Sequence, residues 1–257
     1  MIINNILGGL GNQLFQIAAG FSQARKVNTE FAINYNIGLG RGQGFHHKKY
    51  RFNLYKNIPE TDRVDLRPYR EPYFSFCPIL RLDNICLIGY FQSRKYFMGF
   101  EDEVKRLISF PKIECEKVLN KLEKIKKKKV GVHVRLGDYF QEKNKDVFFK
   151  INYSDYIKKA KALFGDDYEY LIFSDDKILL RKHLDMNSFI DLNNDSEIED
   201  LYSLSQCDAI VMSNSSFSWW GAFLGKEKEK VICPKKWFGS KGPQDEHDIY
   251  EDYWIKL

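Results

Sequence analysis

Three short stretches in the C-terminal half of this 257-residue chain carry side chains suited to a polar, anionic ligand: HVRLGD (133–138), SDD (174–176) and SNSS (213–216). Each follows an apolar run, and in an open parallel sheet ligands gather at the carboxyl ends of the strands. In HVRLGD, strand alternation sets His133 and Arg135 on one face, and Gly137 permits a turn that returns Asp138 toward them. A guanidinium grips phosphate through paired N–H groups, each charge-assisted bond contributing roughly 1.5–3 kcal/mol. The plain alternative is a structural Arg135–Asp138 pair closing the turn. In SNSSFSWWG (213–221) the hydroxyls of Ser213, Ser215 and Ser216, the amide of Asn214 and the open N–H groups of a helix start would form an anion site. Simple capping by Ser215 or Ser216 uses the same atoms differently. Asp175 and Asp176, behind Ser174, can bond a base or a ribose, or cap a helix. Trp219 and Trp220 read as core. A fourth strand end brings Pro234 and Lys235, so the four together point to an anionic, hydroxyl-rich ligand.

The other suggestive stretch is ILGGLGNQLFQIAAG (6–20), an apolar strand, a glycine turn and an amphipathic run. A dinucleotide fingerprint would put a third glycine at Leu14 and an acid about twenty residues on. Gly9 and Gly11 supply only the first two glycines, and the next strand, EFAIN (30–34), begins with Glu30 and ends in Asn34. An oxidoreductase using NAD or a flavin is therefore disfavoured, and the loop's ligand stays open at this point. Strict D-x-D, a divalent-metal handle in many sugar transferases, is absent, and His46 and His47 lack partners at ligand spacing. No metal or cofactor is expected, so a leaving group would be stabilised by Arg135 and a helix dipole.

These residues need a scaffold, and the pattern supplies one. Strand-like runs at 130–134, 168–174, 188–190, 209–213 and 230–233 alternate with helix-like runs at 153–165, 176–184, 196–207 and 217–225. Such alternation predicts a doubly wound parallel sheet with right-handed crossovers. The N-terminal half is less regular: strand 2–7, helix 12–26, strand 30–34, a glycine-rich loop, strand 84–91 and a helix near 94–109. The expected architecture is two α/β halves facing a cleft, 1–125 and 126–257, divided by the lysine-rich stretch KVLNKLEKIKKKK (117–129). In that stretch Val118, Leu122 and Ile125 recur at helical spacing, giving a surface helix with a solvated lysine face.

Composition narrows the function classes. Apolar residues make up 44% and aromatic ones 15%, which excludes a disordered chain, and no apolar run approaches the roughly 20 residues needed to span a bilayer. Asn4, Asn5, Asn12, Gln13 and Gln16 interrupt the N-terminal apolar stretch, so it does not read as a signal peptide, and a cytoplasmic location is expected. The net charge of +5 sits largely in the lysine run, with no nucleic-acid signature beside it. Cys77, Cys86, Cys115, Cys207 and Cys233 form no C-x-x-C pair and read as buried, reduced thiols.

Taken as a set, GGLGNQLFQ, GYFQSRKYF (89–97), HVRLGDY, IFSDD, SNSSFSWWGAFLG and VICPKKWF resemble, in order and spacing, glycosyltransferase family 11, the α-1,2-fucosyltransferases of bacterial type. The resemblance runs from residue 7 to about 238. It implies a GT-B-like fold and metal-independent, inverting transfer of L-fucose from GDP-β-L-fucose to a galactoside 2-hydroxyl in surface glycan synthesis. It implies that His133 meets the guanine side and Arg135 the pyrophosphate. One of Asp175 and Asp176 would meet the guanine, and Ser215 or Ser216, beside Asn214, the phosphate. By the same analogy the glycine loop, with Gly9, Gly11, Asn12 and Gln13, would serve fucose and acceptor. Leu136 stands where many relatives have a second Arg. The catalytic set would be Arg135, Asp138 and His133, with Asp138 or Glu142 as general base. The alternative is a loose transition state in which Arg135 and the helix at 216 do most of the work by holding the departing GDP. Acceptor choice would lie in NIGLGRGQGFHHKKY (36–50), and the acceptor would be an oligosaccharide or a lipid-linked glycan met at the inner face of a membrane. A different fucosyl linkage on the same scaffold and a non-catalytic nucleotide-sugar binder are the rival readings.

Overall fold

The computed structural model of the chain describes residues 1–37 and 44–257. It separates into two compact units, Met1–Pro111 with Asp245–Tyr250, and Lys112–Gln244 with Glu251–Leu257. Of the loop 36–50 named above, residues 38–43 lie outside the described residues.

The first unit has a parallel sheet of β1 (Ile2–Asn4), β2 (Arg67–Arg70) and β3 (Ile85–Ile88), in the order β1-β3-β2. Two helices accompany it, α1 (Leu10–Lys26) and α2 (Glu101–Leu107). Strand 30–34 reduces to parallel bridges, Phe31 with Ile2 and Ile33 with Glu60, which extend the sheet beyond β1. The helix expected near 94–109 is a 3-10 turn, Arg94–Tyr96, followed by α2. β2 escaped the sequence reading because RPYR is polar and contains a proline. Among the described residues it pairs only with β3, and an outer strand tolerates both the missing N–H and the exposed side chains.

In the second unit five parallel strands run in the order β5-β4-β6-β7-β8. They are β4 (Lys128–Val134), β5 (Tyr168–Ser174), β6 (Ala209–Val211), β7 (Lys230–Cys233) and the short β8 (Ile255–Lys256). Ile190 bridges Leu171 on the outer side of β5, which is all that remains of the strand read at 188–190. The helices are α3 (Lys112–Leu122), α4 (Tyr153–Lys161), α5 (Lys177–His183), α6 (Glu197–Gln206) and α7 (Ser216–Phe223). β4 is central and buried from Val130 to Val134, as expected for a parallel strand covered on both faces. The chain runs outward from β4 to β5 and returns on the other side as β6. The winding therefore reverses between β4 and β6, which is where doubly wound sheets hold ligands.

The core of this unit gathers Val130, Val132, Val134, Leu136, Ile172, Val211 and Ile232 against α4. Trp219 and Trp220 are fully buried and meet edge to face at 5.3 Å, so they are core as the sequence indicated. α3 packs on α6, and thus goes with the second unit although the sequence reading put it ahead of the boundary. Its helix stops at Leu122, and Lys128 already belongs to β4. The lysine face is not purely solvated either: Lys117 and Lys121 lie 3.7 and 3.5 Å from the carboxylate of Glu199, whose side chain is 2% exposed. All five cysteines are free; Cys207 and Cys233 are buried, whereas Cys77, Cys86 and Cys115 are only half-buried. No helix among the described residues is long and apolar enough to cross a membrane.

Candidate functional site

At the β4–β6 reversal the structure brings together His133, Arg135, Asp138, Asp175 and Ser213. The His133 imidazole Nδ1 lies 2.8 Å from Ser213 Oγ, tying the end of β4 to the end of β6. Phe217 covers the ring at a centroid distance of 5.3 Å. Burial, aided by the nearby Arg135 charge, lowers the His133 pKa to about 3. A neutral imidazole with so low a pKa can hydrogen-bond a ligand but cannot carry a proton near neutrality. His133 is therefore placed to hydrogen-bond a ligand as a neutral ring.

Arg135 follows β4 directly. Tyr153 at the start of α4 accepts its backbone N–H and donates to its backbone carbonyl, both at 3.0 Å, so the main chain is locked here. Arg135 Nε donates to Asp138 Oδ1 at 3.0 Å, Nη2 lies 2.7 Å from the same oxygen, and Nε is 3.3 Å from Asp175 Oδ2. The structural reading of HVRLGD is seen directly: Asp138 closes the turn onto Arg135, and the Nη1 edge has no partner among the described residues. Burial opposes the guanidinium charge, but Asp175 and Asp138 outweigh it and hold its pKa above the ordinary value. Burial pushes the Asp175 carboxyl upward, while the Arg135 charge and the Leu136 N–H at 2.9 Å draw it back. Leu136 itself is fully buried in the core, so its position offers no second cation.

The remaining residues of these motifs divide sharply. Asp176 accepts the Leu179 N–H at 2.8 Å and is the N-cap of α5, which leaves Asp175 as the acid of SDD that faces Arg135. Asn214 is fully buried and donates to the carbonyls of Phe149 at 3.0 Å and Trp237 at 2.7 Å. It staples two loops beside β6, a correction to its expected contact with the donor. Ser215 caps α7 by accepting the Phe217 N–H at 3.3 Å, and half-buried Ser216 opens that helix. Glu142 is 89% exposed beside Lys145, a surface pair. Sequence reasoning missed Tyr139, whose hydroxyl donates to the Asn214 carbonyl at 2.7 Å and whose ring stacks on Phe148 at 3.8 Å. It lies next to the HVRLGD turn, and adjacency was its only signal.

In the first unit the glycine loop is held by its own glutamines. Gln13 Nε2 donates to the carbonyls of Gly8 and Phe45, and its oxygen accepts from Tyr55. Gln16 both accepts from and donates to the backbone of Leu7. Gln13 is 1% exposed and committed to the loop, so the expectation that it reaches a sugar is corrected. Gly9 is the N-cap of α1, and Gly11 is buried inside the helix. Asn12 is half-buried; its Oδ1 accepts from Gln92 Nε2 at 2.5 Å. Its Nδ2 lies 2.7 Å from the place a Cβ on Gly8 would take, and Gly8 has φ +82°. Among the described residues no group of three or more His, Cys, Asp or Glu is placed to hold a metal ion.

The chain resembles proteins of known activity along most of its length. It is 26% identical to an O-antigen biosynthesis glycosyltransferase, WbnK, of Escherichia coli, over 97% of this chain and 98% of that protein. It is 24% identical to an α-1,2-colitosyltransferase of the same organism, over 100% and 99%. It is 27% identical to a galactoside 2-α-L-fucosyltransferase of Caenorhabditis elegans, over 87% of this chain and 68% of that one. Crystal structures of the Bradyrhizobium fucosyltransferase NodZ share the fold: one superposes with a TM-score of 0.59 at 15% identity, over 95% of this chain and 96% of that chain. Residues 43–257 match the description Glycosyl transferase family 11, more than half of the sequence, and the chain belongs to that family.

Proposed function

We propose that the protein transfers L-fucose from GDP-β-L-fucose to the 2-hydroxyl of a terminal β-galactoside, with inversion, in surface glycan synthesis. The observation that carries this is Arg135 at the β4–β6 reversal, permanently charged, with its Nη1 edge uncommitted. That edge takes the pyrophosphate, the start of α7 adds its N–H groups, Asp175 accepts from the guanine, and neutral His133 hydrogen-bonds beside it. Asn12 serves the fucose and acceptor side. The acceptor oxygen attacks the anomeric carbon opposite the departing GDP, which leaves with the bonding electron pair, while the acceptor hydroxyl passes its proton to solvent water. Asp138 is tied to Arg135 and Glu142 is a surface charge. The proposal therefore rests on a loose transition state whose main support is leaving-group stabilisation by Arg135. No metal enters this mechanism.

The test is GDP release from GDP-β-L-fucose with a panel of β-galactosides, product linkage read by NMR, with and without EDTA. An α-1,2-fucosyl product insensitive to chelation is expected. Donor binding without turnover on any galactoside would remove the acceptor class, and loss of activity on chelation would remove the metal-free mechanism. The colitosyltransferase relative supports one variant reading, so a colitose donor belongs in the panel. Preference for it would change the donor sugar and leave the linkage standing.

A further inference from the structure

One buried acid in the first unit takes no part in the scheme above. Glu71, just after β2, reaches across the end of β3 and accepts two consecutive backbone N–H groups. The Tyr90 N–H lies 2.7 Å from its Oε2, and the Phe91 N–H is 3.0 Å from both oxygens. The Tyr96 hydroxyl points at the same carboxylate from 3.4 Å.

The turn it holds is one that the local sequence would not adopt unaided. Phe91 is a bulky residue at φ +52°, a left-handed conformation that side chains of this kind rarely take. Its ring is fully buried and meets Tyr96 edge to face at 5.1 Å. Gly89 is equally required, since a Cβ there would stand 2.4 Å from Glu71 Cβ. Backbone strain of this sort persists only where its surroundings over-determine it, and it concentrates at functional sites.

Immediately after the turn comes Gln92, 6% exposed, whose Nε2 donates to Asn12 Oδ1. In the order β1-β3-β2, with the bridged segment at Phe31 beyond β1, this sheet also reverses its winding, between β1 and β3. Gln92 and Asn12 meet at the carboxyl ends of those two strands. A primary amide presents an acceptor at one end and a donor at the other. Donation from Gln92 therefore favours the Asn12 orientation that turns Oδ1 toward it.

We propose that Glu71 is a positioning residue: by clamping the Tyr90 and Phe91 amides it fixes Gln92, and Gln92 sets the orientation of Asn12, the residue given the sugar above. This rests on the role of Asn12 proposed above. A carboxylate is the side chain for the task, because it accepts two N–H groups at once and charge-assisted bonds are the stronger kind. Glutamine has the same shape, but its amino end would face an N–H group.

The experiment measures GDP release with a galactoside acceptor for Glu71→Gln, Gln92→Leu, their double variant and Asn12→Ala, with melting temperatures for each. Glu71→Gln and Gln92→Leu are each expected to lower kcat at least tenfold while the KM for GDP-fucose stays within about threefold. The double variant should be no worse than the poorer single one, because both act through one relay. A purely structural Glu71 would instead lower the melting temperature with kcat unchanged, and that outcome overturns the proposal. So does a double variant whose losses multiply. Should Glu71→Gln fail to fold, Gln92→Leu decides alone, since wild-type turnover there breaks the relay. If Asn12→Ala retains full activity, the role given to Asn12 fails, and the proposal built on it goes too. If Asn12→Ala is inactive while Glu71→Gln is normal, only the positioning role is lost.

Discussion

Three carboxylates of this chain have three different jobs, and surroundings alone separate them. Asp175 and Asp176 are neighbours, yet one faces a guanidinium and the other caps a helix. Their adjacency in the sequence left the choice between them open, because the turn after β5 decides which carboxylate points where. Glu71 is the third case. Burial raises its pKa from 4.5 to about 7; the Tyr90 and Phe91 amides and the Tyr96 hydroxyl oppose this, and Asp245 adds to it. Tyr69 on β2 also feels the Glu71 charge. A carboxyl whose folded pKa lies above its unfolded one contributes stability that is complete below the unfolded pKa. That stability is lost as pH rises through the folded value. Wild type should therefore lose stability relative to Glu71→Gln between pH 5 and pH 8.5, by at most about 3 kcal/mol, a span set by the shift. Urea midpoints at the two pH values measure it, and a gap independent of pH would mean that Glu71 ionises normally. No sequence pattern announces such a group, since Glu71 becomes special only when β2 sets it against the end of β3.

At the scale of elements, periodicity was a good guide wherever the sheet is buried on both sides. β4 and β7 stand close to where their apolar runs lie, since a strand covered by helices on both faces is largely apolar, and β5 was legible through its buried Leu171–Phe173. Edges were illegible for the converse reason. β2 is polar, β8 is two residues long, and the segment at Ile190 pairs by a single bridge. Capping was ambiguous in the same way: the serines and acids that begin α5 and α7 have the types that an anion site also wants. Asp176→Ala separates the two uses. It removes the bond to the Leu179 N–H and should cost about 1 kcal/mol of stability, the usual worth of an N-cap, with GDP affinity unchanged. Calorimetric titration with GDP checks this, and a tenfold weaker affinity would return Asp176 to the site.

At the scale of the whole molecule, the family was visible in the motifs and the exact division of the chain was not. The break at 111/112 depends on α3 packing on α6, a contact between residues nearly eighty positions apart. The second feature lies near the C-terminus. Residues Asp245–Tyr250 belong to the first unit, although both flanking stretches belong to the second. Their attachment is polar and specific: Asp245 accepts the Ser75 N–H at 2.8 Å, Asp248 accepts the Phe76 N–H at 2.8 Å, and Lys95 pairs with Asp248.

That arrangement has a consequence for anyone recombining this protein with a relative to exchange acceptor preference. A single crossover at residue 111 would graft a foreign N-terminal half onto a native Asp245–Tyr250 segment, and the amides at 75 and 76 would meet acids evolved for another partner. The transplant should be made in two pieces, 1–111 together with 245–250. The two-piece chimera should melt several degrees above the single-crossover one, and equal melting temperatures would show that the six-residue segment is interchangeable.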